Sequence, residues 1–157
     1  MCTSFMSELM YGYHQFGQPT LTSRGSLTTP TNDTFKGALY LASATINAST
    51  TAYSSTGEVT GTGYTAGGVT VTNATPPTYT NASSTAGVAY WTPSASLTYT
   101  TVTLTTAFDT VLIYNSTQGN RAVSVHTFGS QTITAGTFTL TMPSNTTTTA
   151  LLRLATT

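Results

Sequence analysis

The sequence predicts an all-β fold, a β-sandwich or partly closed barrel of about eight short strands with one short N-terminal helix. Three observations carry this. Apolar and polar residues alternate over short runs, which is the period a strand imposes. Clusters of Gly, Pro, Asn and Ser cut those runs at short intervals, as turns between strands do. About a quarter of the 157 residues are Thr, which is β-branched, favours strands and carries a hydroxyl suited to a face touching water or another protein.

Residues 4 to 16 form the one predicted helix. Ser4 is placed to cap it, Phe5, Leu9 and Tyr13 fall along one stripe, and Met6 and Met10 lie beside them. So short an apolar element must dock somewhere, either on its own domain or, as an arm, on a neighbouring subunit. GQPTLTSRGSLTTPTND (17 to 33) has no periodicity and reads as an extended connection. The chain therefore divides into a helix and arm, 1–33, and a single β domain, 34–157.

DTFKGALYLASATINASTTAYSSTGEVTGTGYTAGGVTVT (33 to 72) is the organising stretch. Phe35, Gly37, Leu39 and Leu41 share one face and Lys36, Ala38, Tyr40 and Ala42 the other, as in a half-buried strand. ATINASTTAY reads as one or two helical turns, GTGYTAGG as a glycine turn, and VTVT as a return strand. Pro76-Pro77 marks a loop or irregular edge strand, and GVAYW a strand ended by Pro93. Trp91 is the single tryptophan and reads as a core or interface anchor. LTYTTVTLTT (97 to 106) changes its apolar side near Thr101, which predicts a bulge or a strand covered on both faces. VLIYN (111 to 115) and RAVSVHTF (121 to 128) around NSTQGN predict a hairpin, GTFTLTMP (136 to 143) a further strand, and ALLRLAT (150 to 156) the closing strand.

Composition narrows the function. Only 5% of residues are charged and the net charge is zero, against roughly 25% charged in a typical domain. Long-range attraction to phosphate backbones or anionic headgroups is therefore absent, and neither nucleic-acid nor membrane partners are expected. The start lacks a basic region followed by an apolar run, so the chain is expected to fold in a cytoplasm. One cysteine, Cys2, gives no disulfide framework, and as a nucleophile it would have only His14 near it, at a terminus expected to be mobile.

No constellation points to catalysis, a cofactor or a metal. Glu8, Asp33, Glu58 and Asp109 are scattered and read as caps rather than as a glycosidase pair. His126 reads as a sheet-face residue, and two histidines without grouped carboxylates make no metal site. There is no GxSxG elbow, and GTGYTAGG lacks the Lys-Ser/Thr or helix that phosphate binding needs. The N-x-Ser/Thr triplets at Asn32, Asn47, Asn73, Asn81, Asn115 and Asn145 follow from the abundance of Thr. What remains is contact: Phe5, Met6, Leu9, Met10, Tyr13, Phe16 and Trp91 are the candidate interface residues.

TFKGALY, STTAYSSTGEVTGTGYTAGG, VLIYN, RAVSVHTFG and GTFTLTMPSNTTTTALLRL, with the opening MCTSF and SEL, together resemble a family of small structural proteins of tailed bacteriophages and prophages. The chain departs from that pattern in the Thr-rich stretch from Trp91 to Asp109, and at Asp109-Thr110, where a basic residue is usual. The resemblance implies a virion component assembled in the bacterial host. Its expected partners are the major capsid protein and copies of itself if it decorates the head. A host glycan is the expected ligand if it belongs to the tail, with Tyr53, Tyr64, Tyr79 and Tyr90 as candidate contacts.

Overall fold

A computed structural model of the protein describes residues 1–17, 32–72, 76–80 and 87–156. The fold is all-β apart from one helix, as predicted, and is built as two antiparallel sheets in a sandwich-like arrangement. The helix is α1 (Thr3–Met10), and the strands are β1 (Phe35–Leu41), β2 (Val69–Thr70), β3 (Thr78–Thr80), β4 (Val88–Trp91), β5 (Leu97–Asn115), β6 (Arg121–Leu140) and β7 (Leu152–Ala155). The larger sheet runs β2-β1-β5-β6 and the smaller β3-β4-β7.

One two-stranded ribbon generates both sheets. β4 pairs with β7, and after a corner the same two chains pair again as β5 and β6, from Leu97 opposite Leu140 to Asn115 opposite Arg121. The ribbon bends because its register slips five times, among them between Tyr99 and Val102. Thr101 there has φ 53° and Ala135, on the other strand, φ 49°, conformations that non-glycine residues adopt at a cost. The bulge predicted near Thr101 is thus present. By contrast, the two strands predicted at 97–106 and 111–115 are one strand, as are those at 121–128 and 136–143. β5 runs through Asp109, whose carboxylate accepts from the adjacent Thr110 hydroxyl at 2.7 Å.

Because the ribbon bends, its first half lies over β1. Leu97 and Tyr99 pack against Gly37, where an added Cβ would stand 2.5 Å from a Leu97 methyl. The Tyr99 hydroxyl donates to the Gly37 carbonyl at 2.7 Å. β1 alternates as predicted but is buried on both faces, not one: Phe35, Ala38, Leu39 and Tyr40 are all fully buried. Its inner face meets the returning ribbon, and residues 42–68 cover the other, with Tyr53 stacked on Tyr114 at 4.6 Å.

The stretch 44–53 forms hydrogen-bonded turns, not the expected helical turns; Ala44 N–H bonds back to Leu41 and Thr50 N–H to Asn47. Ser, Thr and Asn side chains compete there for the backbone groups a helix would use, as when Asn47 accepts from Ser49 N–H at 2.9 Å. GTGYTAGG is the turn the sequence indicates. Gly68 has φ 73°, and a Cβ there would lie 1.8 Å from the Gly37 carbonyl oxygen, so only glycine fits against β1. β2 then pairs with β1 through Val69 and Thr70. β3 is an exposed edge strand, within the loop-or-edge reading of that region.

The helix is shorter than predicted. It begins at Thr3 with Cys2 at the cap position, and it stops at Met10 because Gly12 adopts φ 75°. Ser4 does not cap it; its hydroxyl is buried in the first turn without a hydrogen-bond partner. Nor is the terminus mobile. Cys2 N–H bonds to Val123 O at 2.9 Å and Thr3 N–H to Ala48 O at 2.8 Å, which fixes α1 beside β6. Most of the extended connection, residues 18–31, lies outside the described residues.

Candidate interaction surface

The candidate interface residues divide by face. Phe5 and Phe16 are buried at 2% and 6% exposure, and Trp91 at 2%, in the domain's own core. Phe16 stacks on Phe35 at 4.4 Å, and Trp91 tilts against Phe16 at 4.7 Å. These three rings anchor residues 1–16 across the end of the sandwich, so they are not free surface. Leu9 is half-buried against the same cluster. Met6 and Met10 point outward, at 55% and 90% exposure, with Tyr13 partly exposed beside them. Tyr11, which the sequence pattern does not single out, is also exposed, and its ring lies 5.8 Å from that of Tyr13.

A second exposed apolar group lies on the small sheet. Tyr79 faces Ala89 across β3 and β4, and Ala89 faces Leu154 across β4 and β7, so the three share one sheet face. Two residues along, the same face carries Trp91 and Leu152, which are buried. The core face of the small sheet therefore continues past the core, and Tyr79 and Leu154 emerge on it exposed. Between this shelf and α1 lies an open cleft lined by Phe5, Leu9, Ala89, Trp91 and Leu154, with Arg153 at its edge.

Almost no charge accompanies this surface. Glu8, Asp33 and Glu58 are all buried, and among the described residues the most open charged side chains are Arg153, which is exposed, and Arg121, 39% exposed. The buried carboxylates are not caps, as the sequence suggests, but centres of two hydrogen-bond networks. Glu58 accepts from the Tyr53 hydroxyl at 2.6 Å, the Tyr64 hydroxyl at 2.7 Å and Gly67 N–H at 2.7 Å. Burial first, and the bond to Glu58 second, push the phenols of Tyr53 and Tyr64 far above their ordinary value. Burial likewise raises Tyr114 to about 12. Two of the four tyrosines named for glycan contact are thus tied to Glu58, Tyr90 is half-buried, and Tyr79 alone is widely exposed.

The other network joins the N-terminal segment to the β5–β6 turn. Glu8 holds the His14 Nε2 at 2.9 Å and Arg121 at 3.0 Å. Asn115, fully buried, approaches His14 Nδ1 at 3.1 Å and donates to Asp33 at 2.7 Å. Asp33 also accepts from Gln15 N–H at 2.9 Å. With His14 so engaged and burial raising the Cys2 thiol above its ordinary value, the pair has no arrangement for nucleophilic chemistry. Asn115 is likewise closed to modification in the folded chain.

His126 occupies a sheet position as expected, on the inner face near Val111, Ile113 and Met142. Its Nε2 lies 2.9 Å from the Ser124 hydroxyl, and burial lowers its pKa to about 4. Among the described residues no three His, Cys, Asp or Glu side chains are grouped to hold a metal ion, and no helix is long and apolar enough to cross a membrane. The Glu8 network escapes the sequence because its members are far apart in the chain: Arg121 is 113 residues from Glu8. No family model, curated protein or solved structure matches the chain.

Proposed function

We propose that this protein is a non-enzymatic structural component of a bacteriophage virion, a decoration (cement) protein that binds the outside of the capsid in many copies. The observation that carries the reading is the pairing of a sparsely charged chain with exposed apolar side chains, Met6, Met10 and Tyr11 on the N-terminal segment and Tyr79 and Leu154 on the small sheet. Covering such side chains desolvates little charge. The resemblance of its strand segments to phage structural proteins supplies the setting.

A cement protein works by mass action. It binds the assembled shell better than free subunits and so shifts the equilibrium toward the shell. Modest contacts suffice when symmetry repeats them. The partners are the major capsid protein and further copies of this chain, the location is the virion, and no cofactor is involved. A tail module that contacts host glycans is the competing placement, and Tyr79 is the side chain it would use first.

Co-sedimentation with assembled shells tests the reading. The double substitution Met6→Ser, Met10→Ser leaves the core intact, because both side chains are exposed. It should weaken shell binding at least tenfold; unchanged binding removes the helix face from the interface. Cryo-electron microscopy of labelled particles should show density over the whole shell, and density confined to the tail would favour the tail placement.

A further inference from the structure

We propose that residues 1–16 are a detachable plug, latched across the end of the sandwich by neutral His14 and released when that ring takes up a proton. The geometry favours one protonation state of the ring. Asn115 Oδ1 accepts from Thr117 N–H at 3.1 Å and Gln118 N–H at 3.2 Å, so its Nδ2 is the atom turned toward His14. That Nδ2 also donates to Asp33. An amide nitrogen can only donate, and its two hydrogens are shared among Asp33, the Tyr13 carbonyl at 3.3 Å and His14, an arrangement that favours an unprotonated, accepting Nδ1 over an Nδ1–H turned against the amide. The single ring proton sits on Nε2 and is donated to Glu8.

A second proton, on Nδ1, would face the Asn115 amide hydrogens. Turning Asn115 over would relieve that clash but would forfeit its bonds to Asp33, Thr117 and Gln118, an expensive exchange for a fully buried group. The charged groups facing His14 are Glu8 from α1, Asp33 from the segment before β1, and Arg121 from β6. The two carboxylates favour an imidazolium, whereas Arg121 opposes it. The remaining surroundings are apolar: the rings of Phe5, Phe16 and Phe35 lie 4.8, 6.2 and 6.4 Å from the imidazole. Burial is the largest influence, and the net direction is a pKa below the ordinary 6.5.

The sign follows. A ring that binds its proton less readily when docked than when free favours docking above pH 6.5, and this preference fades as pH falls toward the docked value. Release breaks the Cys2–Val123 and Thr3–Ala48 bonds, lifts Phe16 away and uncovers Phe35 and Trp91. The plug is thus a reversible cover over an apolar surface, independent of whether the protein decorates a capsid.

Cys2 is fully buried and is the sole thiol, so it reports release directly. The full-length protein is reacted with 4,4′-dithiodipyridine from pH 7.5 to 5.5, and each rate is divided by that of the urea-unfolded chain to remove thiol ionisation. The ratio should rise as pH falls, by at most about tenfold for one proton with a free pKa near 6.5, and should stay flat in His14→Gln. A flat ratio in the wild type, or the same rise in His14→Gln, overturns the proposal. Should His14→Gln fail to fold, ¹⁵N spectra of the wild-type imidazole decide it. The proposal requires an Nε2–H ring at pH 7.5 with a pKa below 6.5, and a pKa at or above 6.5 overturns it.

Discussion

Glu8 and Glu58 are both buried glutamates, each 6% exposed, yet they fasten different things. Glu58 gathers Tyr53, Tyr64 and Gly67, all within nine residues of it. Every donor is a hydroxyl or an amide, and burial keeps the two phenols protonated at any ordinary pH. Glu8 instead sits in a network whose members come from positions 8, 14, 33, 115 and 121, and one of them is a histidine. The first network shapes a loop against β1. The second holds one end of the chain to the far turn of the ribbon. A local staple and a long-range latch use the same carboxylate, and the difference lies in what donates to it.

The comparison can be broken by substitution. Glu58→Ala leaves two tyrosine hydroxyls and Gly67 N–H without their acceptor inside the fold. It should destabilise the whole domain by about 3–5 kcal/mol, read as a single shifted urea transition. Gly68→Ala should act on the same loop with similar size, because its Cβ would collide with the Gly37 carbonyl. Asn115→Ala should cost less, about 2–3 kcal/mol, and most of the loss should appear as Cys2 labelling before global unfolding. If Glu58→Ala instead freed only its own loop while the rest stayed folded, the staple would not be part of the domain's cooperative unit.

Smaller effects sharpen the contrast. Glu8→Gln keeps one acceptor for His14 but loses the charge shared with Arg121, whose side chain is 39% exposed. A cost of about 1 kcal/mol confined to residues 1–16 is expected by hydrogen exchange. Ser4→Ala removes a buried hydroxyl that has no partner, so stability should be unchanged or rise by up to about 1 kcal/mol in a thermal melt.

The staple and the latch also differ in how far the sequence announces them. Alternation exposed β1 and the β5–β6 hairpin, the change of apolar side located the Thr101 bulge, and the glycines of GTGYTAGG marked their turn. Gly12 was a visible stop signal for the helix, yet the stripe through Tyr13 ran past it; the phenol instead lies under the Arg121 guanidinium at 4.2 Å. The continuity of β5 through 107–110 is hidden in the sequence because the pairing with β6 there is irregular, with register shifts on both sides of Phe108. Spacing of residues cannot show that Phe16 and Trp91 are core while Met6 and Met10 are surface, since all four are apolar and only the path of the chain separates them. The latch was least legible, because it depends on contacts between residues up to 113 apart.

Hydrogen–deuterium exchange on the full-length protein at pH 7.5 and 5.5, corrected for intrinsic rates, measures the staple and the latch in one experiment. Protection of residues 1–16 should fall with pH while that of residues 53–68 stays unchanged. Equal loss in both stretches, or none in either, would contradict the division between a static staple and a titratable latch.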